Sequence, residues 1–349
     1  MACSGHPQAD PIMVRQRGES LVVDIHAHLG VAAAEEIVRS QIPDLPRGLP
    51  FSCAASDAVN AKMFQQIGGK LNGVTERLAD MDAQGVDVQA ISPNPGQYFY
   101  FVPPELGRCS ARAINDAIAA AVASTPDRLV GMGTVPLQNT EMAIAEMRRC
   151  VSDLGLRGIE IGTNFAGREL ADPGLRPFFA AAEELGVLLF IHPLGFTHGE
   201  RLSEHYLNNI IGNPLESTIA LSHLIFGGVL DSHPGLKICV AHGGGYLPGY
   251  WGRMDHAFRA REDCRQHISR EPSSYMRQIW LDTLVFDQDQ LESLVKTHGA
   301  ERLCMGTDYP FDMGEPDPVG FHAALDEETQ RKILGLNAAD LLGLKVQAN

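Results

Sequence analysis

Asp24-Ile25-His26-Ala27-His28 follows the apolar run Leu21-Val22-Val23 and lies just before Gly30. An apolar, β-branched run of this kind is typical of a strand buried in a parallel sheet, and a glycine commonly marks its end. Side chains alternate along a strand, so His26 and His28 point to one side and Ala27 to the other. Two imidazoles on one side can bind a first-row cation through bonds of about 2 Å. The segment therefore predicts half of a metal site.

The same arrangement, an apolar strand that ends in a polar residue, occurs at three later places. Each polar residue is followed by a turn-forming residue, so each lies at the carboxyl end of its predicted strand. A single histidine in such a place could equally well hydrogen-bond a loop carbonyl, but the four strand ends together favour a metal site. The three later strand ends are His192-Pro193, His242-Gly243-Gly244-Gly245 and Asp308-Tyr309-Pro310.

Predicted strands and helices alternate along the chain. This alternation implies parallel strands joined by right-handed crossovers, and eight units fit a closed (β/α)8 TIM barrel, of class α/β. We predict a single domain over residues 1–349, with residues 31–72 a small cap insertion after strand 1, because this stretch is too long for a simple loop. The later seven strands are predicted at residues 86–92, 129–135, 158–163, 187–192, 237–242, 279–283 and 303–308. Helices are predicted at residues 74–84, 108–124, 140–154, 175–185, 217–230, 288–297 and 327–336.

Composition excludes several classes of protein. The net charge of −15 argues against binding to nucleic acid or to an anionic membrane surface. No apolar run approaches the roughly 18 residues of a membrane span. Seven cysteines, an odd number with no Cys-x-x-Cys pair, fit reduced thiols better than a disulfide framework. We therefore expect a cytoplasmic enzyme, with Cys239 and Cys304 in its core.

The strand-end motifs give the chain a specific resemblance. Residues 24–28, His192-Pro193, residues 241–245 and residues 306–311 resemble the amidohydrolase superfamily, in its metal-dependent decarboxylase branch. The likeness extends through residues 77–82, 128–138 and 337–339, and so covers nearly the whole chain. It implies a carboxy-lyase that removes CO2 without oxidation from an unsaturated or aromatic carboxylic acid, in a catabolic pathway and as a homodimer.

The resemblance also implies a role for individual residues. It implies that one divalent metal, zinc in preference to manganese, is bound by His26, His28, His192 and Asp308. His242 matches the family's base, and Asp308, once protonated, could supply a proton to the carbon that bears the carboxylate. Arg253 matches an arginine that binds a substrate carboxylate from a neighbouring subunit. From the residues alone, an ion pair of Arg253 with Asp255 or Glu262 is an equal alternative.

Other functions remain open at this stage. A hydrolase or hydratase of a ring-cleavage product could use the same residues, with water retained in the product. A barrel that holds metal only for structure is the third possibility, although a base beside the metal has no use in such a site. Members of the superfamily with two metals often bridge them with a carbamylated lysine after strand four. Residues 157–163 contain no lysine, so we expect one metal, with the orientation of Glu160 left open.

Overall fold

Parallel strands form the centre of the structure, a computed structural model that describes residues 11–45 and 51–347. Eight of its strands, β2 to β5 and β8 to β11, pair in one parallel sheet in the order β2-β3-β4-β5-β8-β9-β10-β11. The strands of the described residues are β1 (Ile12–Val14), β2 (Val23–Leu29), β3 (Val88–Pro93), β4 (Leu129–Gly133), β5 (Gly158–Ile161), β6 (Asn164–Phe165), β7 (Arg168–Glu169), β8 (Leu188–Ile191), β9 (Lys237–Val240), β10 (Ile279–Asp282), β11 (Leu303–Cys304) and β12 (Leu344–Val346).

Main-chain hydrogen bonds join the last strand of this sheet to the first. Ile25 N donates to Met305 O at 3.0 Å, and Asp308 N donates to His26 O at 2.8 Å. His28 N donates to Tyr309 O, also at 2.8 Å. These bonds lie beside and beyond the two-residue strand β11, so the irregular segment after it closes the sheet. The predicted eight-stranded α/β barrel is confirmed.

The helices that the sequence predicts surround the barrel close to their predicted positions. The predicted helix 217–230 is interrupted at Gly227 and Gly228, because Gly228 has a φ of +72°. The predicted helix 327–336 continues through a π-helical turn, Lys332–Leu336, into a further helix. The helices are α1 (Ala32–Gln41), α2 (Ala54–Asn72), α3 (Thr75–Gln84), α4 (Pro104–Ser124), α5 (Thr140–Ser152), α6 (Arg176–Leu185), α7 (Asn213–Phe226), α8 (Val229–Ser232), α9 (Leu247–Ala260), α10 (Pro272–Met276), α11 (Gln288–His298), α12 (Pro318–Phe321), α13 (Glu327–Arg331) and α14 (Asn337–Leu342).

The core has two layers. Inside the barrel, small and medium side chains from alternate strand positions pack together, including Ile25, Val130, Cys239 and Cys304. A larger cluster fills the space between the strands and the helices. Burial of one aliphatic side chain contributes roughly 1.5–3 kcal/mol, so these layers supply most of the stabilisation that holds the strand ends in place. Cys239 and Cys304 are buried free thiols, as predicted.

The insertion after β2 contains two helices that the sequence pattern did not predict. Helix α1 packs against α4, and α2 contacts β2 and α3. The α2 side chain Phe64 lies edge-on to Phe311, with 6.2 Å between ring centroids, and Phe311 in turn lies 5.5 Å from the His28 ring. The insertion thus contributes an aromatic side chain close to the strand ends. No helix in residues 11–45 and 51–347 is long and apolar enough to cross a membrane.

Candidate metal centre

Three strands carry the four predicted ligands to the same end of the barrel. His26 and His28 lie within β2, while His192 and Asp308 follow β8 and β11. The register of β2 with β3 shifts between Asp24 and Ala27, yet both histidines still face the same point. All four side chains are buried, with residue exposures of 0 to 7%. The convergence predicted from the strand ends is therefore present.

The distances between these side chains suit a small cation. His26 Nε2 and His28 Nε2 lie 3.1 Å apart. Asp308 Oδ1 lies 3.3 Å from His26 Nε2 and 3.0 Å from His28 Nε2. One ligand atom from each of these three residues and His192 can be chosen so that all lie within 4.8 Å of one another. Ligand atoms around a tetrahedral zinc stand roughly 3.3 Å apart, which follows from bonds of about 2 Å, so the cluster has the size of a metal site.

Unpaired polar atoms give an independent test of whether a metal fits here. Both ring nitrogens of His192 and Oδ1 of Asp308 are buried and have no hydrogen-bond partner among the described residues. Buried polar atoms without a partner are unfavourable, so such a group in a native protein needs an explanation. A cation in the cluster would satisfy Asp308 Oδ1 and one ring nitrogen of His192. Three imidazoles and one carboxylate suit zinc or another borderline cation better than calcium or magnesium.

Hydrogen bonds behind the two strand histidines fix the orientation of their rings. His26 Nδ1 lies 2.7 Å from Asp282 Oδ2, and His28 Nδ1 lies 3.0 Å from the carbonyl oxygen of Pro93. Each acceptor favours a proton on Nδ1, which leaves the Nε2 lone pair directed into the cluster. Both rings are therefore oriented to bind a metal through Nε2.

The charges in the cluster depend strongly on one another. Burial alone would lower the pKa of His26, but the carboxylates of Asp308 and Asp282 raise it to about 10. Burial would raise the pKa of Asp308, yet His26, His242 and His28 hold it well below its ordinary range. Burial, together with the neighbouring imidazoles, keeps the pKa of His192 well below its ordinary value. Asp308 is thus ionised and His192 neutral, the protonation states that a metal requires of them, whereas His26 releases a proton when it binds a metal through Nε2.

His242 lies beside the cluster rather than within it. It follows β9, and its Nε2 is 3.6 Å from Asp308 Oδ2. His242 and Asp308 have φ values of +57° and +58°, in the left-handed region that side chains other than glycine seldom adopt. Unfavourable backbone conformations of this kind are concentrated at functional sites. The position of His242 allows proton exchange with Asp308 without occupying a ligand position.

Glu160 lines the site from the end of β5. It is fully buried, and its Oε2 lies 3.7 Å from His28 Nδ1. Its Oε1 accepts a 2.7 Å hydrogen bond from the Tyr98 hydroxyl, and Tyr98 stacks on Tyr100. Tyr98 and Tyr100 are therefore held by buried contacts within the protein, whereas Phe101 is 64% exposed. Glu160 is not a member of the four-residue cluster.

The long loop after β8 is anchored by a buried glutamate. Glu216, on α7, accepts hydrogen bonds at Oε1 from the backbone N–H of Thr197, at 2.9 Å, and from its hydroxyl, at 2.7 Å. At Oε2 it accepts from the Thr163 hydroxyl at 3.2 Å and from Asn164 Nδ2 at 3.0 Å. A single carboxylate thus joins the loop that follows His192 to the loop that follows β5.

Arg253 lies outside this arrangement. It is exposed on α9 and has no ion pair with any residue of the described ranges. Neither of the predicted alternative partners contacts it, because Asp255 accepts a hydrogen bond from Ser273 N and Glu262 lies 3.8 Å from Arg265. The ion-pair interpretation of Arg253 is therefore wrong for this chain.

Two residues of the site escaped the sequence analysis. Asp282 ends the apolar strand β10, so it has the same pattern that identified His192 and Asp308, and that signal could have revealed it. Glu216 lies inside a helical pattern and has no such signal. Its function depends on loops that the sequence places more than 15 residues away.

The fold and the site together define a class of protein, a (β/α)8 barrel with a candidate metal centre at the carboxyl ends of its strands. The sequence pattern of the amidohydrolase family matches residues 23–344. The chain therefore belongs to the amidohydrolase family.

Several relatives have known activities. The 2-amino-3-carboxymuconate-6-semialdehyde decarboxylase of Dictyostelium discoideum is 36% identical to this chain, over 93% of this chain and 92% of that protein. The protein of the same name in Caenorhabditis elegans is 30% identical, over 85% of this chain and 87% of that protein. A 2-keto-4-carboxy-3-hexenedioate hydratase of a Sphingobium species is 26% identical, over 92% of each.

A solved structure has the same fold. The 5-carboxyvanillate decarboxylase of Novosphingobium aromaticivorans, determined with bound manganese and a nitrobenzoic acid, has a TM-score of 0.84 at 24% identity. The match covers 95% of this chain and 100% of that one. The family match and the two decarboxylases at 36% and 30% identity confirm the predicted enzyme class, a carboxy-lyase of the amidohydrolase superfamily.

Proposed function

We propose that this enzyme removes CO2 from an unsaturated or aromatic carboxylic acid of the carboxymuconate-semialdehyde or hydroxybenzoate type. The observation that carries the proposal is the buried cluster of His26, His28, His192 and Asp308, with His242 at 3.6 Å from Asp308. The two 2-amino-3-carboxymuconate-6-semialdehyde decarboxylases, at least 30% identical over most of the chain, support the carboxymuconate-semialdehyde type. A gamma-resorcylate decarboxylase, 30% identical over 77% of this chain, supports the hydroxybenzoate type.

We propose that these four residues bind one divalent metal, zinc in preference to manganese. Their unpaired buried atoms support a bound cation, and the manganese in the 5-carboxyvanillate decarboxylase supports a first-row metal. The bound metal would supply positive charge that orients the oxygen atoms of the substrate and acidifies water. This local charge also offsets the repulsion that a substrate anion meets from a protein with a net charge of −15.

The protein's own groups move the proton. Decarboxylation needs a proton at the carbon that loses the carboxylate, so that the electrons of the broken C–C bond end in a new C–H bond. His242 Nε2 and Asp308 Oδ2 are close enough to share a proton through a small adjustment or one water. In our proposal His242 is the base that takes a proton from solvent water and passes it from Nε2 to Asp308 Oδ2. Asp308 then delivers this proton to the carbon as its bond to the carboxylate breaks and CO2 leaves.

A hydratase is the second candidate, because the Sphingobium hydratase matches 92% of this chain. The same base would then activate a water molecule that adds to a double bond. The C–C bond to the carboxylate would stay intact, and the oxygen of the water would remain in the organic product.

The two functions separate in one experiment. Metal-loaded enzyme is incubated in H₂¹⁸O with hydroxybenzoates and unsaturated ring-cleavage acids, and both released CO2 and the mass of the organic product are measured. Decarboxylation predicts CO2 together with an organic product that contains no ¹⁸O. An ¹⁸O-labelled product without CO2 would instead establish the hydratase.

We also propose that the enzyme is a cytoplasmic homodimer in which Arg253 binds the substrate carboxylate of the neighbouring subunit. The exposed Arg253 guanidinium has no ion-pair partner among the described residues and is available for such a contact. Its planar N–H groups can donate two parallel hydrogen bonds to one carboxylate. The six cysteines within residues 11–45 and 51–347 are all free thiols, which fits a reducing compartment.

A further inference from the structure

Asp282 contacts both the metal cluster and the turn that carries His242. It is the last residue of β10 and has no exposed surface. Its Oδ2 lies 2.7 Å from His26 Nδ1. Its Oδ1 accepts a 2.9 Å hydrogen bond from Gly243 N and a 3.2 Å hydrogen bond from Leu284 N. One carboxylate therefore faces a proposed metal ligand on one side and the residue after the proposed base on the other.

The packing around this pair leaves no room for adjustment. A Cβ atom at Gly306 would stand 2.8 Å from His26 Cβ and 3.0 Å from Asp282 Cβ. A contact of 2.8 Å is shorter than real Cβ atoms show, so a side chain at position 306 would displace His26 or the backbone beside it. The close approach of the segment after β11 thus constrains how the His26 and Asp282 side chains meet.

We propose that Asp282 is a positioning residue that couples the metal ligand His26 to the base His242, an inference that rests on the proposed metal centre. It fixes the proton on His26 Nδ1, which leaves Nε2 free for the metal. At the same time it holds the first backbone N–H after His242, in a turn whose φ of +57° at His242 is unfavourable without such support.

The chemistry requires a carboxylate at this position. An ionised carboxylate only accepts hydrogen bonds, and Asp282 faces a donor at each oxygen. An asparagine has one accepting and one donating end. If its oxygen faced Gly243, its NH₂ would face His26 Nδ1 and favour the tautomer with the proton on Nε2, which cannot bind the metal. If its oxygen faced His26, its NH₂ would oppose two backbone N–H groups and displace the His242 turn.

The test compares Asp282→Asn with a matched variant, Asp231→Asn. Asp231, on α8, accepts hydrogen bonds from the Tyr275 and Ser269 hydroxyls but contacts no proposed metal ligand. Its substitution by asparagine therefore also removes a hydrogen-bonded charge. Manganese affinity is measured by electron paramagnetic resonance of the free ion, and the melting temperature is measured in parallel. Loss of a group that supports a ligand typically costs 10- to 100-fold in metal affinity. We expect a loss of about this size in Asp282→Asn and less than about 2-fold in Asp231→Asn, even where Asp231→Asn lowers the melting temperature more.

Each outcome is decisive. Manganese binding to Asp282→Asn that is as tight as in the unaltered enzyme would overturn the inference and leave the proposed function intact. An unaltered enzyme that binds neither manganese nor zinc would overturn the proposed function itself.

A second measurement needs no variant and applies if Asp282→Asn does not fold. Long-range ¹H–¹⁵N NMR of the zinc-loaded, histidine-labelled enzyme reports which nitrogen of each ring carries a proton. We expect His26 to carry its proton on Nδ1 and the metal on Nε2. A proton on Nε2 of His26, or zinc on Nδ1, would contradict the role of Asp282.

Discussion

His242 differs from the four clustered residues in one respect that can be tested. Its Nε2 approaches Asp308 at 3.6 Å but is not among the atoms that converge on a common point. Removal of a base typically lowers turnover about 10²–10⁴-fold. We therefore expect His242→Ala to keep its metal and to lose at least about 10² in kcat, as measured by CO2 release and elemental analysis of the same sample.

The control is His233→Ala, which removes a histidine that contacts Glu183 at 3.0 Å, away from the strand ends. That variant should keep both metal and turnover. If His242→Ala lost metal to the same extent as activity, His242 would be a ligand rather than the base.

The sequence revealed the ligand residues because each lies in a short local pattern. His26 and His28 are two residues apart on a strand, and His192 and Asp308 each end an apolar run before a proline-containing turn. The contact of Asp282 with the ligand His26 could not be recognised from a local pattern. Asp282 is 256 residues from His26, and only the closed barrel shows that the two side chains meet.

At the scale of elements, the loop after β8 depends on Glu216. Its two oxygens accept from four donors on two loops, so Glu216→Gln would place an NH₂ group against donors. A hydrogen bond to a charged group contributes about 1.5–3 kcal/mol, which corresponds to roughly 10- to 100-fold if the loop binds the substrate. We expect kcat/KM to fall by about 10-fold or more in a steady-state assay, with metal content unchanged.

Glu146→Gln is the matched control for this prediction. Glu146 is equally buried, at 3% exposure, and accepts from Arg149 and Asn115 on the outer helices. This control should lose stability without a change in kcat/KM. A Glu216→Gln enzyme with unaltered kcat/KM would show that the loop has no part in substrate binding.

Helix α11 ends at a histidine that makes stability depend on pH. His298 Nε2 lies 2.9 Å from the carbonyl oxygen of Ile279, which links α11 to β10. Burial lowers the pKa of His298 from 6.5 to about 4. As pH falls below 6.5, the unfolded chain takes up a proton at this residue before the folded protein does. The contribution is therefore fully present above pH 6.5 and is lost progressively towards pH 4.

A pKa difference of this size corresponds to at most about 3 kcal/mol. Urea unfolding of the enzyme and of His298→Gln, measured between pH 7 and pH 4, tests the effect, because glutamine can donate to the same carbonyl but does not titrate. The free energy of unfolding of the variant should decline less over this range. Parallel pH profiles would show that His298 contributes nothing to the acid sensitivity.

The eight barrel strands were predictable because buried parallel strands are short apolar runs bounded by turn formers. The helices of the insertion and α9 were not. Helix α9 contains Gly249 and Gly252, which weaken a helical pattern, and its contacts with α7, α10 and α11 favour the helix there. In α2, Gly68 and Gly69 have the same effect.

At the scale of the whole molecule, the homodimer remains a prediction that Arg253 can test. Arg253→Ala should raise KM for a carboxylate substrate by roughly 10-fold or more with little change in metal content, because one bidentate contact is lost. Arg259→Ala removes another exposed arginine of α9, one already paired with Glu271, and should leave KM unchanged. Equal KM values in the two variants would remove Arg253 from the substrate site.

The measurement that tests the central claim most directly is the elemental metal content per chain of enzyme purified without added metal or chelator. One buried cluster of three histidines and one aspartate in the described residues predicts about one equivalent of zinc or manganese. Two equivalents per chain would contradict the mononuclear site, and none, even after reconstitution with either metal, would contradict the metal-dependent decarboxylase altogether.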